Sequence, residues 1–404
     1  MNGEESARLL REVVLAGTCS HPVRLTGEAV NTVTGEVEPR GFKVACKDRR
    51  SSVCSACSDR YETDAWIIVA AGVNGGKGVP DSVLRAPRLF VTVTAPSFGL
   101  VHTISAGGRC VERGRAEPPM CGHGHPRRCR EHHAADDAVL GHPLCDQCFE
   151  ADRAVLWNAS SSRLWSEMLR RARRNVATEM GLAQELSRSD MSLQYVKVVE
   201  LQRRGLVHFH ALVRLDSGGE QVLGASEAMR SVDEAIQAVE VTDMTGSFRF
   251  GGVRDIQDLG QSADDVRNAA SYLAKYVTKT ASGSLELAHR FASRRQISEG
   301  VADIHLRTLA LRAWDLGMER HANTLGYRGQ FLTKSRRYST TFGELRAAWA
   351  AYWSTGVEGD PLESSYRFDG RGYDDPRGGD LAEVLAQLDR ERRSEERRSR
   401  RDLK

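Results

Sequence analysis

The stretch that decides the fold is LQYVKVVELQRRGLVHFHALVRL, residues 193–215. Two runs rich in β-branched and apolar residues flank the turn RRG at 203–205, and a short glycine-containing turn between such runs is typical of a β-hairpin. Because alternate residues of a strand point to opposite faces, His208 and His210 share one face while Phe209 points to the other. The pattern therefore predicts a hairpin with two imidazoles on one side.

These two histidines form half of a divalent-metal site, because imidazole is a common ligand for such ions. If the turn centres near Arg204, Glu200 lies across the ladder from His208 on the same face. A carboxylate and two imidazoles then make a three-ligand set with open positions for substrate. Glu200 can instead hydrogen bond to a ligating histidine and orient it. An isolated His-x-His pair is also compatible with two ordinary strand histidines, so these alternatives stay open.

A second pattern follows at 264–280, where the sequence predicts a helix. Tyr272, Lys275, Tyr276 and Lys279 fall at i, i+3, i+4 and i+7 and form one stripe on that helix. A tyrosine oxygen can attack a phosphodiester and form a covalent phosphotyrosine, while nearby ammonium groups offset the phosphate charge and favour the phenolate. The alternative is an amphipathic helix with half-buried tyrosines and lysines that extend to solvent.

The nine cysteines are unevenly placed, since eight of them lie between Cys46 and Cys148. In a reducing compartment this number favours metal binding over disulfides. Two Cys-x2-Cys pairs, at 54–57 and 145–148, are typical of zinc chelation by thiolates. Four thiolates from the two pairs are the simplest site, and a second site is possible nearby; buried free cysteines are the alternative. The predicted structural zinc ligands are Cys54, Cys57, Cys145, Cys148, Cys121 and Cys129.

Composition bounds the remaining possibilities. The 404 residues are 40% hydrophobic and 27% charged, which is typical of a globular protein. A net charge of +3 is too small to indicate an anionic partner by itself. No apolar run approaches the roughly 18 residues of a membrane span, and the N-terminal residues are acidic where a secretory signal is basic. We therefore expect a cytoplasmic protein without a membrane partner.

Other segments add structure and candidate DNA contacts. RLFVTVTAP at 88–96 alternates as a strand does, and residues 151–188 have helical spacing. The glycine-rich segment 72–78 lacks the phosphate-loop pattern, so no built-in ATPase is expected. Basic side chains that neutralise phosphates supply salt-sensitive affinity for DNA. The predicted DNA contacts are Lys334, Arg336 and Arg337 of the segment TKSRRYSTT, together with Arg204 of the hairpin turn.

Three segments in order carry a resemblance to a known family. FVTVTAPSFG (90–99), ELQRRGLVHFHALVRLD (200–216) and AASYLAKYVTKT (269–280) resemble the three motifs of HUH replication initiators. More narrowly, the chain resembles the rolling-circle Rep proteins of actinobacterial plasmids and integrative elements. VLWNASSSRLW (155–165) and GYRGQFLTKSRRYSTT (326–341) also look like that family.

The resemblance implies an α+β fold: a five-stranded antiparallel β-sheet with flanking helices, similar to an RNA-recognition (RRM-like) fold, with the histidines on a central strand. It also implies a reaction in which a Mg²⁺- or Mn²⁺-dependent endonuclease nicks one strand of an origin, keeps the 5′ end on tyrosine and leaves a free 3′-OH. His208 and His210 match the metal ligands of the family. Tyr272 fits its Tyr-x-x-Lys motif and Tyr276 its second tyrosine, and which of the two attacks first is open.

The predicted organisation has five segments. An N-terminal segment (1–41) precedes the first HUH strand and its inserted Cys/His-rich zinc-binding region (42–150). The nuclease core (151–285) is followed by a helical, basic, DNA-contacting extension (286–355) and by a linker and charged tail (356–404). The predicted partners are single-stranded origin DNA, a host helicase and a DNA polymerase.

Two alternative functions remain at this point. A transposase or conjugative relaxase of the HUH class uses the same chemistry on other DNA sites. A zinc-stabilised DNA-binding regulator with a degenerate HUH fold would bind origin DNA without cutting it.

Overall fold

The computed structural model describes residues 3–104, 110, 120–181, 191–217, 223–260, 262, 265, 267–273, 287, 290–347 and 362–402. The chain divides into two compact units. The first combines Met1–Ile68 with Thr341–Lys404, and the second is Val69–Thr340. The candidate active site lies entirely within the second unit.

The elements of the described residues are as follows in chain order. The strands are β1 (Val23–Asn31), β2 (Val37–Val44), β3 (Arg88–Thr94), β4 (Met191–Leu201), β5 (Val207–Ser217), β6 (Val241–Asp243), β7 (Gly246–Phe248), β8 (Arg254–Asp258), β9 (Leu332–Lys334) and β10 (Leu362–Arg371). The α-helices are α1 (Gly3–Leu15), α2 (Ser55–Asn74), α3 (Ala151–Glu179), α4 (Ala225–Ala238), α5 (Arg294–Gly300), α6 (Ile304–Asp315) and α7 (Arg377–Asp402). Residues 267–273 are also helical.

The second unit is built on a five-stranded sheet in the order β8-β3-β5-β4-β9. Every neighbouring pair is antiparallel, and β5, which carries both histidines, is the central strand. The α+β class and the antiparallel sheet agree with the sequence-based expectation. The predicted hairpin is also confirmed, since β4 and β5 pair along their full length around a turn in which Gly205 has a φ of +74°.

One face of this sheet is the main hydrophobic core. Phe209 and Val213 of β5 are buried there together with Trp157, Trp165 and other apolar residues of α3. The rings of Trp165 and Phe209 meet edge-on at 5.7 Å between centroids. Because Phe209 is committed to this core, the two flanking histidines must point to the other face.

The first unit has a three-stranded antiparallel sheet in the order β10-β1-β2. Leu9 and Val13 of α1 are buried with Ala382 of α7. Strand β10 lies in the segment predicted as a linker, and it pairs with β1, which is more than 300 residues earlier in the sequence. Local periodicity carries no information about such a distant partner, which is why the sequence did not predict this strand.

The remaining helical predictions are met in part. Helix α3 begins at Ala151 as predicted and ends at Glu179. The predicted helix at 264–280 is described only in part: residues 267–273 are helical, and Lys275, Tyr276 and Lys279 lie outside the described residues. Among the helices that the structure describes, none combines the length and apolar character that crossing a bilayer demands.

Candidate active site

The three predicted metal ligands meet on the open face of the central hairpin. Glu200 of β4 pairs with His208 of β5, which confirms the predicted register. One ligand atom from each of Glu200, His208 and His210 lies within 4.8 Å of the other two. The Glu200 carboxylate oxygen Oε2 is 3.5 Å from Nε2 of His210. Two imidazole nitrogens and one carboxylate oxygen form a mixed donor set that suits a divalent ion such as Mn²⁺.

The neighbouring strand β3 orients one of these imidazoles. Thr92 pairs with His210 across the ladder, and its hydroxyl oxygen lies 3.2 Å from Nδ1 of His210. With the proton on Nδ1 donated to this hydroxyl, Nε2 presents its lone pair towards Glu200. The first motif of the chain, FVTVTAP, thus contributes a residue that fixes the ligand geometry.

The second imidazole is kept neutral by its surroundings. Burial lowers the pKa of His208 to about 4, and the nearby His210 and Arg204 lower it as well, against an opposing effect of Glu200. A neutral imidazole is the form that binds a metal ion. Nδ1 of His208 is buried and has no hydrogen-bond partner in the described part of the chain. Such an atom is costly unless a ligand satisfies it, so the residues present fit a bound cation.

Tyr272 lies next to this cluster. Its ring centroid is 5.3 Å from that of His210 with the rings perpendicular, and 5.6 Å from that of Phe90 on β3. The side chain is 40% exposed, so a substrate can reach it from solvent. The helical stretch 267–273 therefore brings a phenol to the edge of the three-ligand cluster, where the family resemblance implies that it lies.

The turn that joins β4 to β5 is anchored by a buried asparagine. Asn158 of α3 donates through Nδ2 to the carbonyl oxygens of Gly205 and Leu325, each at 2.9 Å. Its Oδ1 accepts from the backbone N–H of Val207 at 3.0 Å. The His305 side chain adds a contact of 3.1 Å from Nε2 to the carbonyl oxygen of Arg204. These bonds hold the end of the hairpin from which Glu200 and His208 project.

Arg204, predicted as a DNA contact, has a structural role in the folded chain. Its guanidinium donates to the carbonyl oxygens of Ala95 and Pro96 and to the Thr94 hydroxyl, at 3.1, 3.3 and 3.0 Å. A further bond of 2.8 Å joins its Nε to Gln202. The side chain is engaged in tying the turn to the end of β3, because these carbonyls follow the last residue of that strand. The DNA contact predicted at this residue stays a prediction.

The other predicted DNA contacts lie around strand β9. Arg336 and Arg337 are exposed, so they are accessible to a phosphate backbone, and their DNA contact stays a prediction. Lys334 donates to the carbonyl oxygen of Ser339 at 2.6 Å. The adjacent Tyr338 is fully buried and donates to the carbonyl oxygen of Val69 at 2.9 Å, which makes it a core residue.

The cysteines and several histidines gather into three groups of four, and we name each group by one member. In each group one ligand atom per residue lies within 4.8 Å of the others. The Cys57 group is Cys19, Cys46, Cys54 and Cys57; the Cys121 group is Cys121, His123, Cys145 and Cys148; the Cys129 group is His102, Cys110, Cys129 and His133. Each Cys-x2-Cys pair thus has its own two partners. The structure does not contain the simplest predicted pairing, four thiolates from the two pairs.

The Cys57 group has the spacing of a tetrahedral thiolate site. The sulfurs of Cys46 and Cys57 are 3.6 Å apart, and those of Cys54 and Cys19 are 3.8 Å apart. Zinc–sulfur bonds of about 2.3 Å put the sulfurs of a tetrahedron about 3.8 Å apart, whereas a disulfide is about 2.05 Å long. Hydrogen bonding among these thiols lowers the pKa of Cys46 to about 7 and raises the pKa of Cys19 and of Cys57.

The Cys121 group closes around one histidine. Nδ1 of His123 lies 3.3 Å from the sulfur of Cys148 and 3.8 Å from that of Cys145. Sequence reasoning missed Cys19, because it lies 27 residues before the next cysteine, and it left His123 unassigned among several nearby histidines. Only the folded chain selects between such neighbours.

The fold and site define an α+β protein with a two-histidine, one-carboxylate candidate metal centre beside a tyrosine. Residues 5–387 match the RepSA family, described as "Replication initiator protein, pSAM2". A curated relative, a replication initiator protein from Streptomyces ambofaciens, is 34% identical over 366 residues, which cover 84% of this chain and 76% of the relative. No solved structure matches the chain. The chain therefore belongs to the RepSA family of replication initiator proteins.

Proposed function

We propose that this protein initiates rolling-circle replication of a plasmid or integrative element by nicking one strand of its origin, as an HUH-type endonuclease. Membership of the RepSA family supports a role in replication initiation. The observation that carries the nicking chemistry is the contact of the Tyr272 ring with His210, itself one of three converging metal ligands. A phenol next to a cation site is the pair of groups that tyrosine attack on a phosphodiester requires.

Glu200, His208 and His210 would hold the catalytic ion. A bound Mg²⁺ or Mn²⁺ supplies polarisation of the scissile phosphate and orients it for in-line attack. Thr92 fixes the His210 ring, and the turn anchored by Asn158 fixes the end of the hairpin. Preorganised ligands of this kind avoid the cost of rearrangement when the substrate binds.

The phenol oxygen of Tyr272 attacks the phosphorus, and its proton passes to water. The bond from phosphorus to the 3′ oxygen breaks, and that oxygen takes up a proton to become the free 3′-OH. The 5′ phosphate stays on the tyrosine, so the energy of the broken bond is kept for religation. Tyr276 would serve the second strand transfer, and Lys275 and Lys279 would offset charge on the phosphate; all three residues remain predictions from the sequence.

The partners follow from this chemistry. A free 3′-OH is a primer for a DNA polymerase. The sequence offers no phosphate-loop motif, so a host helicase would open the duplex. We also propose that the Cys57 group and the Cys121 group each bind a structural zinc ion, because a four-ligand Cys/His set closes the coordination sphere.

The test is a covalent adduct assay. The full-length protein is incubated with Mn²⁺ and single-stranded oligonucleotides that tile the origin region of the replicon carrying the gene. We expect a protein–DNA species that survives SDS and is lost in the double variant Tyr272→Phe, Tyr276→Phe. The matched control is Tyr366→Phe, since Tyr366 is comparably exposed but lies in the first unit. DNA binding without any adduct would support the non-catalytic regulator instead, and cuts only at a transfer origin or element end would support a relaxase or transposase.

A further inference from the structure

The Cys129 group combines residues that no Cys-x2-Cys pair marks. Nε2 of His133 lies 3.2 Å from Nδ1 of His102 and 3.4 Å from the sulfur of Cys129. The sulfur of Cys110 accepts from the backbone N–H of Thr103 at 3.4 Å. In a tetrahedral zinc site two nitrogens lie about 3.3 Å apart and a nitrogen and a sulfur about 3.6 Å apart. The observed separations match these edges.

An aspartate orients one of the histidines in this group. Nδ1 of His133 is 2.8 Å from Oδ2 of Asp137. A carboxylate only accepts hydrogen bonds, so Nδ1 carries the proton and Nε2 keeps its lone pair, directed at His102 and Cys129. A carboxylate behind a histidine is the usual arrangement around zinc, where it fixes the ring and raises its basicity.

Segment 133–141, which contains His133 and Asp137, also contacts the β4–β5 hairpin. The guanidinium of Arg203, in the turn between β4 and β5, donates to the carbonyl oxygens of Ala135 and Asp137, at 2.8 and 2.9 Å. Gly141 packs so closely on Arg203 that an added Cβ would lie 2.5 Å from its carbonyl carbon. Asp137 therefore links two features: its side chain contacts His133 of the Cys129 group, and its carbonyl oxygen accepts a hydrogen bond from Arg203 of the hairpin turn.

We propose that the Cys129 group binds a third zinc ion, as a Cys2His2 site, and that this ion rigidifies segment 133–141 so that it clamps the β4–β5 turn. The zinc site is supported by its own geometry. Its value for catalysis rests on the proposed nicking function, because the clamped turn joins the two strands that carry Glu200 and His208. Asn158 and His305 also hold the turn, so loss of the clamp loosens the turn without unfolding it.

The first measurement is the zinc content of the purified full-length protein by inductively coupled plasma mass spectrometry. We expect three zinc ions per chain in the wild type and two in Cys129→Ser. The matched control, Cys57→Ser, also loses one ion, from the group in the other unit. If Cys129→Ser has the same zinc content per chain as the wild type, the proposed site is overturned.

The second measurement is hydrogen exchange of a peptide that spans the turn. Two amides report on it: the N–H of Gln202 donates to Leu206, and that of Gly205 donates to Gln202. We expect exchange about tenfold faster in Cys129→Ser and in Arg203→Gln, and unchanged in Cys57→Ser. Arg203→Gln retains every ligand and should keep all three zinc ions, so it tests the clamp even where Cys129→Ser does not fold.

These outcomes separate the two proposals. Unchanged exchange in Arg203→Gln overturns the clamp, whether or not zinc is bound. The protein could bind three zinc ions and show the expected exchange rates but form no covalent DNA adduct. That result would support the zinc clamp and contradict the nicking function.

Discussion

The candidate cation site and the three cysteine-containing groups use similar residue types but are assembled in different ways. Glu200, His208 and His210 lie within eleven residues of sequence, on two strands joined by one turn. Cys19, in the loop between α1 and β1, and Cys57, in the first turn of α2, are by contrast brought together from distant parts of the sequence. The first site offers three candidate ligands, which would leave coordination positions for substrate, whereas each cysteine-containing group offers four, enough to complete the coordination of a zinc ion. In this chain, the site whose ligands lie close together in sequence is also the site with room for a substrate.

The largest effect is expected from a substitution that disrupts only the open site, formed by Glu200, His208 and His210. His210→Ala removes a ligand and the contact to Tyr272, so we expect Mn²⁺ affinity and adduct formation to fall by more than about 100-fold. Zinc content should be unchanged. The matched control is His21→Ala, an exposed histidine of the first unit. Electron paramagnetic resonance measures Mn²⁺ binding, and equal affinity in His210→Ala and wild type would contradict the metal assignment.

The next largest effect is expected from a substitution in the Cys57 group, one of the four-ligand groups. Cys57→Ser should remove one zinc ion and lower the free energy of unfolding by several kcal/mol, because structural zinc binding contributes directly to folding. Ser58→Ala is the control, since Ser58 is also buried and its hydroxyl donates to the carbonyl oxygen of Arg49. Chemical denaturation of both variants checks the prediction. A Cys57→Ser protein as stable as Ser58→Ala would show that the group is a set of buried free thiols.

A smaller effect tests how the open site is supported. Asn158→Ala leaves two carbonyls and one N–H of the buried turn region without their partner, so we expect a loss of about 2–4 kcal/mol of unfolding free energy. Asn175→Ala, on the same helix, loses one hydrogen bond to Ser231 and should cost less than about 1 kcal/mol. Equal denaturation midpoints for the two variants would remove Asn158 as an anchor of the hairpin.

The smallest effect is a pH dependence of the open site. The pKa of His208 is lowered to about 4 in the folded chain, so between about pH 6.5 and 4 the unfolded chain binds the extra proton. Stability is therefore complete above pH 6.5 and falls on acidification. Without added Mg²⁺ or Mn²⁺, we expect wild type to lose about 1–2 kcal/mol more than His208→Asn between pH 7 and pH 5. Denaturation at both pH values checks this, and parallel losses would contradict a neutral buried His208.

The residues of the hairpin show how far sequence reasoning reaches. A period of two, a glycine at 205 and an apolar Phe209 between two histidines were sufficient to predict the strands, the register and the face on which the imidazoles lie. Each of these features is local, because the side-chain alternation of a strand and the geometry of a short turn depend on adjacent residues. The prediction that Tyr272 lies beside His210 required the family resemblance as well, since helix periodicity does not say which strand a helix contacts.

Other features were decided only by tertiary structure. The grouping of Cys57 with Cys19, the pairing of β1 with β10 and the bonds of Arg204 to the end of β3 all join residues that are far apart in the chain. Arginine in a turn has the same local signature whether it binds a phosphate or a carbonyl, and a cysteine pair does not specify which other thiols complete its site. Packing chooses among these partners, because the free energy of such contacts depends on which surfaces the folded chain buries together.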